Sequence, residues 1–478
     1  MTTLQIPAQS NDSAALGNNK GTGFHLARLI LFALVFQAAL TCSAATFTTL
    51  ASFNTVNGGG PTLGSLVQGL DGNFYGTCSL GGTHDAGTVF TITSGGTLTT
   101  LHNFAGAPSD GASPNAGLVL ATDGNFYGTT SSGGTNNLGT VFKITPSGTL
   151  TILHSFNTSD GSGPYAGLVQ GGGGIFFGTT VKGGKNGYGT VFKMTLSGTL
   201  TTLHSFTNTD GNAPSATLVQ APFGDLYGTT LQGGANTYGT VFKITPSGTL
   251  TTLHSFNNTD GAFPEGTLAM AANGNFYGTT TQGGKLGYGT IFQIMPSGTL
   301  TTLHTFSDAD GFLSSGGLIQ ATDSSFYGTT SFGGASGYGT AFAITPSGRL
   351  TTLHSFGSAD GSQPLAALVQ STDGSFYGDT FLGGTLNTGT VFNISEGLGA
   401  FVETVPTFGK AGAKVFILGN NLTGTVSVSF NGTPATFKVV SPTEITTNVP
   451  AGATTGTVIV ITASGSTLKS NKKFQVTQ

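Results

Sequence analysis

Apolar residues along this chain come in short alternating runs separated by glycine-rich breaks, and the same series of runs returns again and again. One unit reads "AGLVLATDGNFYGTTSSGGTNNLGTVFKITPSGTLTILHSF" over residues 116–156. "GLVL" is a short apolar run, and "TDGN" is a tight-turn signal, because Asp-Gly supplies the positive φ a two-residue hairpin needs. "NFYGTT" predicts a second strand and "SSGGTNNLG" a longer loop. "TVFKIT" alternates and is β-branched, which predicts a third strand. "PSGT" is another turn, with Pro146 presetting φ, and "LTILHSF" predicts a fourth strand. The opening phrase recurs as "FYGTC" at 74, "FYGTT" at 126, "FFGTT" at 176, "LYGTT" at 226, "FYGTT" at 276 and 326, and "FYGDT" at 376. From 126 onward the spacing is 50 residues each time.

A period of this length belongs to solenoids, propellers and arrays, and four antiparallel strands in about 50 residues match a kelch-type propeller blade. Sheets apolar on both faces must be covered on both sides, which radial stacking of blades achieves. First strands fall near 65, 117, 167, 217, 267, 317 and 367, which gives seven blades. The fourth-strand phrase "LHSF" or a close variant stands in the first six units, at 101, 153, 203, 253, 303 and 353, and is missing from the seventh. A related phrase, "TFTTLASF" (46–53), precedes the first unit. Residues 47–53 are therefore expected to supply the outer strand of blade seven and to close the ring, removing an exposed sheet edge. The rival architecture is a parallel β-helix with two coils per repeat; two hairpin turns in every unit favour the propeller. The expected fold class is all-β: a seven-bladed propeller followed by an immunoglobulin-like sandwich.

Composition sharpens this picture. Charged residues make up 7% of the 478, against about 25% in ordinary soluble proteins. Glycine is abundant, at 79 residues, but 36 Phe at regular spacing supply a core, so the chain is not a flexible low-complexity tract. The net charge of −4 leaves no global basic footprint for nucleic acid. Residues 46–404 hold 7 Lys and Arg against 17 Asp and Glu, whereas residues 405–478 hold 6 Lys and 1 Glu. That step marks an expected boundary between a propeller at 46–404 and a second domain at 405–478. Residues 1–45 read as an N-terminal extension and secretory signal: Arg28, an apolar run from Leu29 to Leu40, then small residues including Ser43 and Ala45. The run is short for a bilayer span, so no membrane span is expected after cleavage. Cys42 invites lipidation, but Thr41 stands before it where Gly or Ala is wanted. Cleavage leaves Cys78 alone, and a lone thiol forms no internal disulfide.

The phrases "GNFYGTT", "GG", "YGTVFKITPSGTLTTLHSF" and "DG", spread over residues 47–404, resemble the GloVer tandem repeat family of secreted bacterial proteins. The resemblance implies secretion and a repeat array, and it brings no reaction. "PTFGKAGAKVFILGNNL" (406–422), "VSFNGTPATFKVVSPTEITTNVPAGATTGTVIV" (427–459) and "SNKKFQV" (470–476) resemble an IPT/TIG domain, an immunoglobulin-like β-sandwich that serves as a spacer or binding module. A propeller ahead of such a module also resembles the galactose oxidase-like proteins. Their Tyr–Cys pair and Tyr/His copper ligands find no matching set here, so no metal and no cofactor is expected.

In a four-stranded blade the 1–2 and 3–4 connections open on one face and the 2–3 and 4–1 connections on the other. The first pair are tight turns here and the second pair are long, so the long-loop face is the expected binding surface. It should carry Asp110, Asp160, Asp210, Asp260, Asp310 and Asp360, with Tyr188, Tyr238, Tyr288 and Tyr338 near it. Each Asp precedes Gly and is expected to cap its own backbone in an Asx-turn. Calcium is the sharper alternative; it needs six to eight oxygens, and one carboxylate per loop falls short of that unless backbone carbonyls help. His102, His154, His204, His254, His304 and His354 lie one per blade on outer strands, too far apart to share a metal; a hydrogen bond to the neighbouring blade is expected for each. "GGGGIFFG" (171–178) mimics a dinucleotide fingerprint but aligns with the hairpin "ATDGNFYG" (121–128), with no helix after it. The tyrosines suit stacking on sugars or peptides and equally suit loop packing.

Breaks in the repeat mark where an active site could be. Cys78 and Asp379 replace Thr in blades one and seven, and His84 and Asp85 stand in the 2–3 loop of blade one. A Cys–His–Asp grouping at the ring's seam could activate a thiolate. Glu265 is a lone acid in a 4–1 loop. The expectation is a secreted or periplasmic, monomeric, non-catalytic propeller that binds an extracellular glycan or protein through the long-loop face. The alternatives are an enzyme acting at the seam of blades one and seven, and a structural surface protein.

Overall fold

The computed structural model describes residues 45–222 and 224–477; the signal segment expected within residues 1–45 lies, through residue 44, outside them. The repeat region forms seven four-stranded antiparallel sheets. In blade two the strands are Val119–Leu120, Phe126–Thr130, Thr140–Ile144 and Leu150–Ser155. First strands of neighbouring blades touch, as in the bridge between Thr267 and Gly317. They therefore surround the axis, and the fourth strands form the rim. In the seventh sheet Val369–Gln370, Phe376–Thr380 and Thr390–Ser395 are joined by Thr46–Ser52, with Thr46 opposite Ser395 and Ser52 opposite Thr390.

The phrase "FYGTT" earns its repetition by shape. Its strand is buried at every position, and each residue has a packing task. Each Tyr reaches the Phe that opens the same strand in the next blade: Tyr75–Phe126, Tyr127–Phe176, Tyr227–Phe276, Tyr277–Phe326 and Tyr327–Phe376 have ring centroids 4.0 to 4.3 Å apart. Between blades three and four, Phe177 and Leu226 join one apolar cluster instead. Tyr377 then stacks on Phe74 at 4.0 Å, which closes the circle between blades seven and one. This excludes an open coil. The first Thr spans the same joints: Thr77, Thr129, Thr179, Thr279 and Thr329 each donate to a carbonyl of the following blade at 2.8 to 3.1 Å. Gln68 Oε1 accepts the Thr372 amide at 3.1 Å, repeating across the seam the bonds that Gln170 and Gln370 make to the amides of Thr122 and Thr322.

The central Gly is required by close approach. A Cβ on Gly228 would sit 2.7 Å from both Leu218 Cδ2 and Phe242 Cζ. Gly228→Ala is expected to destabilise the ring by about 1–3 kcal/mol, the usual range for overpacking. Denaturant unfolding of the full chain measures it, and an unchanged midpoint refutes this account of the glycine.

The C-terminal residues build two further sheets around one core. One contains Glu403–Val405, Lys414–Leu418, Glu444–Asn448 and Phe437–Ser441; the other contains Thr433–Pro434, Thr425–Phe430, Val458–Thr462 and Thr467–Lys469. Val415, Ile417, Val428, Phe430, Ile445 and Val460 are buried between them. This sandwich rests on the tight-turn face of the propeller. Thr443 Oγ1 donates to the Leu70 carbonyl at 2.8 Å and Asn420 Nδ2 to Thr372 Oγ1 at 2.8 Å. Phe416 and Leu418 join an apolar cluster with Tyr75, Leu120 and Phe126.

Candidate functional site

With the sandwich on the tight-turn face, the opposite face is built from the 2–3 and 4–1 loops. These loops are not free strings. Each 4–1 loop bridges the 2–3 loop of the next blade, through Gly111–Gly133, Ser162–Lys182, Asn212–Gln232, Ala262–Gln282, Phe312–Phe332 and Ser362–Leu382. Gly59–Leu80 continues the belt in blade one. The result is a continuous loop surface held by backbone hydrogen bonds.

The six Asp residues of the 4–1 loops are each committed to a histidine of the preceding outer strand. His102–Asp110, His154–Asp160, His204–Asp210, His254–Asp260, His304–Asp310 and His354–Asp360 are joined from Nε2 to Oδ2 at 2.7 to 3.1 Å. The histidines thus bond within their own repeat and not to the neighbouring blade. The second carboxylate oxygen accepts the amide three residues earlier in five of the loops, from Asn157, Thr207, Asn257, Ser307 and Gly357. That cap runs backward along the chain, whereas an Asx-turn runs forward. Burial would raise the Asp110 carboxyl, but hydrogen bonds from His102 and from the Ala105 and Gly111 amides outweigh it and hold it below the usual carboxylate range. These pairs fasten each loop to the rim of its blade.

The tyrosines divide. Tyr188, Tyr288 and Tyr338 are exposed, while Tyr238 is half-buried with its ring edge-on to Phe263 at 5.9 Å. Tyr288 lies 5.0 Å from Phe312, which stacks on Phe332 at 5.7 Å. The loop face therefore presents aromatic surface.

At the seam, Cys78 and Asp379 are buried, at 0% and 2% exposure, whereas His84 and Asp85 are exposed. Asp85 Oδ1 caps the Gly81 amide at 2.9 Å. Burial thus divides the four into an inner pair and an outer pair. Burial, with the Asp379 charge adding to it, pushes the Cys78 thiol well up, which keeps it protonated. Burial likewise lifts the Asp379 carboxyl well above its ordinary value. A thiolate nucleophile needs a hydrogen-bonded base, and His84 is exposed while Cys78 is fully buried, with no hydrogen bond between them. Among the described residues no three His, Cys, Asp or Glu side chains converge on a metal position.

The axis holds a feature that the shared phrases conceal. The residue four before each inner strand varies around the ring: Leu63, Asn115, Tyr165, Ser215, Glu265, Ser315 and Leu365. The flanking residues repeat and this position does not, which is the signal that could have found it. Leu63, Tyr165, Ser215, Glu265 and Ser315 line a cavity of about 20 Å³. Burial raises the Glu265 carboxyl, partly offset by a hydrogen bond from the Ser315 side chain. Ser215 Oγ is buried and has no hydrogen-bond partner.

A closed seven-bladed ring with an immunoglobulin-like module on one face and a loop-knit surface on the other defines the class of this protein: a β-propeller. The chain belongs to the Gloeobacter/Verrucomicrobia repeat family, whose model matches residues 33–222, 120–322 and 218–436. Residues 401–476 match the IPT/TIG domain. No curated protein sequence matches the chain. Among solved structures, a fungal alcohol oxidase of the AA5 family in complex with copper is similar, with a TM-score of 0.52 at 13% identity over 91% of this chain and 99% of that one. The extracellular domain of a protein assigned to hybrid two-component systems in B. thetaiotaomicron is also similar, with a TM-score of 0.50 at 13% identity over 90% of this chain and 55% of that one. At these identities the likeness is one of fold.

Proposed function

We propose that this protein is a non-catalytic propeller that binds an extracellular glycan or protein through its long-loop face. The observation that carries the reading is the asymmetry of the ring. The tight-turn face is occupied by the sandwich through Thr443 and Asn420, while the opposite face offers the exposed rings of Tyr188, Tyr288 and Tyr338 on loops locked in place. Rigid loops that carry aromatic side chains bind at low entropic cost. The likeness to the extracellular domain of a two-component protein supports a binding or sensing role. On this reading residues 1–45 direct export, and the mature chain acts as a monomer outside the cytoplasm.

The test is a glycan array and a surface-protein pull-down with the full chain and with the triple variant Tyr188→Ala, Tyr288→Ala, Tyr338→Ala. Wild type is expected to retain a ligand that the triple variant binds at least 10-fold more weakly, with both melting alike. Equal retention by the two refutes the face. Loss of an activity on Cys78→Ser would favour the seam enzyme instead.

A further inference from the structure

The cup where the seven inner strands meet has an unbalanced chemistry. Glu265 places a carboxyl in it, and no Lys, Arg or His forms an ion pair with that carboxyl among the described residues. Among the described residues the one Lys–carboxylate pair, Lys243–Asp225, joins a third strand to a 1–2 turn, away from the cup. Ser215 and Ser315 flank Glu265 from the adjacent blades, both buried, at 9% and 6% exposure. The Ser215 hydroxyl lacks any partner, and a buried polar atom left unpaired is costly. The Tyr165 ring stands at the cup's edge with 39% of its surface exposed, and Leu63 supplies an apolar wall.

We propose that this cup seats a primary ammonium group of the ligand, carried by a lysine side chain or an amino sugar; the proposal rests on the reading that the long-loop face binds a ligand. An ammonium brings one positive charge and three donors. The cup offers one carboxyl and two hydroxyls to receive them, and Tyr165 adds an aromatic ring to its lining, a group that suits a cation. A neutral hydroxyl would leave the acid's charge unbalanced. A calcium ion would need six to eight oxygen ligands, and a single carboxylate does not furnish them. The free volume of about 20 Å³ suits one group the size of a water molecule and excludes a pyranose ring. The ammonium would therefore enter as the tip of a ligand whose body lies on the tyrosines.

Isothermal titration of the full chain tests this with two matched pairs of probes: a glucosamine oligosaccharide with its N-acetylated form, and a lysine-containing peptide with its acetyl-lysine form. At least one free-amine probe is expected to bind, its acetylated partner at least 10-fold more weakly. The free-amine member that binds identifies the source. Glu265→Gln should weaken that probe at least 10-fold and Ser215→Ala about 3-fold. Ser215 makes no hydrogen bond whose loss could unfold the chain, so its variant guards against misfolding of the first. Equal binding of acetylated and free forms, unchanged binding by Glu265→Gln, or no binding of any amine probe overturns the proposal. Binding that survives acetylation and Glu265→Gln but falls in the triple tyrosine variant overturns the cup and leaves the loop-face reading in place. Binding that survives all three changes overturns both.

Discussion

Phe53→Ala is expected to cost about 3–5 kcal/mol, as truncation of a fully buried Phe does, and to loosen the ring at one joint only. Phe53 is 1% exposed and meets Phe90 edge-on at 5.0 Å. Its amide donates to Gly389 at 2.9 Å, just as Phe104 and Phe156 donate to Gly87 and Gly139 in other blades. In those blades a turn of the chain also ties the third strand to the fourth. At the seam the blade-seven sheet is completed by Thr46–Ser52, whose register with Thr390–Ser395 is non-covalent. Phe206→Ala removes an equivalent ring from an uninterrupted joint and is the control. Both variants should lose similar stability. Only Phe53→Ala should speed native-state hydrogen exchange in 46–52 and 390–395 ahead of global unfolding. If the two variants exchange alike, the seam is no weaker than any other joint.

Asp379→Thr is expected to stabilise the protein by about 2–3 kcal/mol at pH 7, the scale of an unsatisfied buried group. Five of the other blades use Thr here to donate to the next blade's carbonyl, and in the sixth Thr229 Oγ1 has no partner. An ionised Asp can only accept, and Asp379 Oδ1 has no partner. Burial raises the pKa of this acid in the folded chain above its unfolded value. Folding therefore favours the protonated form: the contribution of Asp379 is intact below the ordinary Asp value of about 3.9 and is lost as pH climbs toward the raised value. The gap between variant and wild type should accordingly widen as pH rises from about 4. Other buried acids, Glu265 and Glu403 among them, bend both curves alike, so the difference isolates Asp379. Parallel stability–pH curves would defeat the argument.

The architecture was legible because its determinants are local and repeated. Asp-Gly and Pro-Ser-Gly turns bound each strand, and "FYGTT" marks the fully buried one. What the sequence could not disclose was depth. Cys78, His84, Asp85 and Asp379 come from adjacent blades, yet two lie inside the seam and two outside, and only packing decides which. The His–Asp pairs were hidden for a related reason. The two residues stand 6 or 8 apart across a loop, a separation with no characteristic signature, so each half drew a separate expectation. Of the axial residues only Glu265 stands out in the sequence, as a lone acid; the others share no phrase from blade to blade that would mark them as one site.

Thr46–Ser52 is synthesised ahead of all the complete blades, but the place for that segment exists only after Thr390–Ser395 has followed. Blades one to six can mature in order of synthesis, each leaning on the one before it. Thr46–Ser52, the first part of the ring to be made, must wait for the seventh. A product truncated before residue 390 can therefore never seal itself. It carries two bare edges of the kind that recruit a second molecule, and strand exchange between such fragments is the failure to which this design is most open.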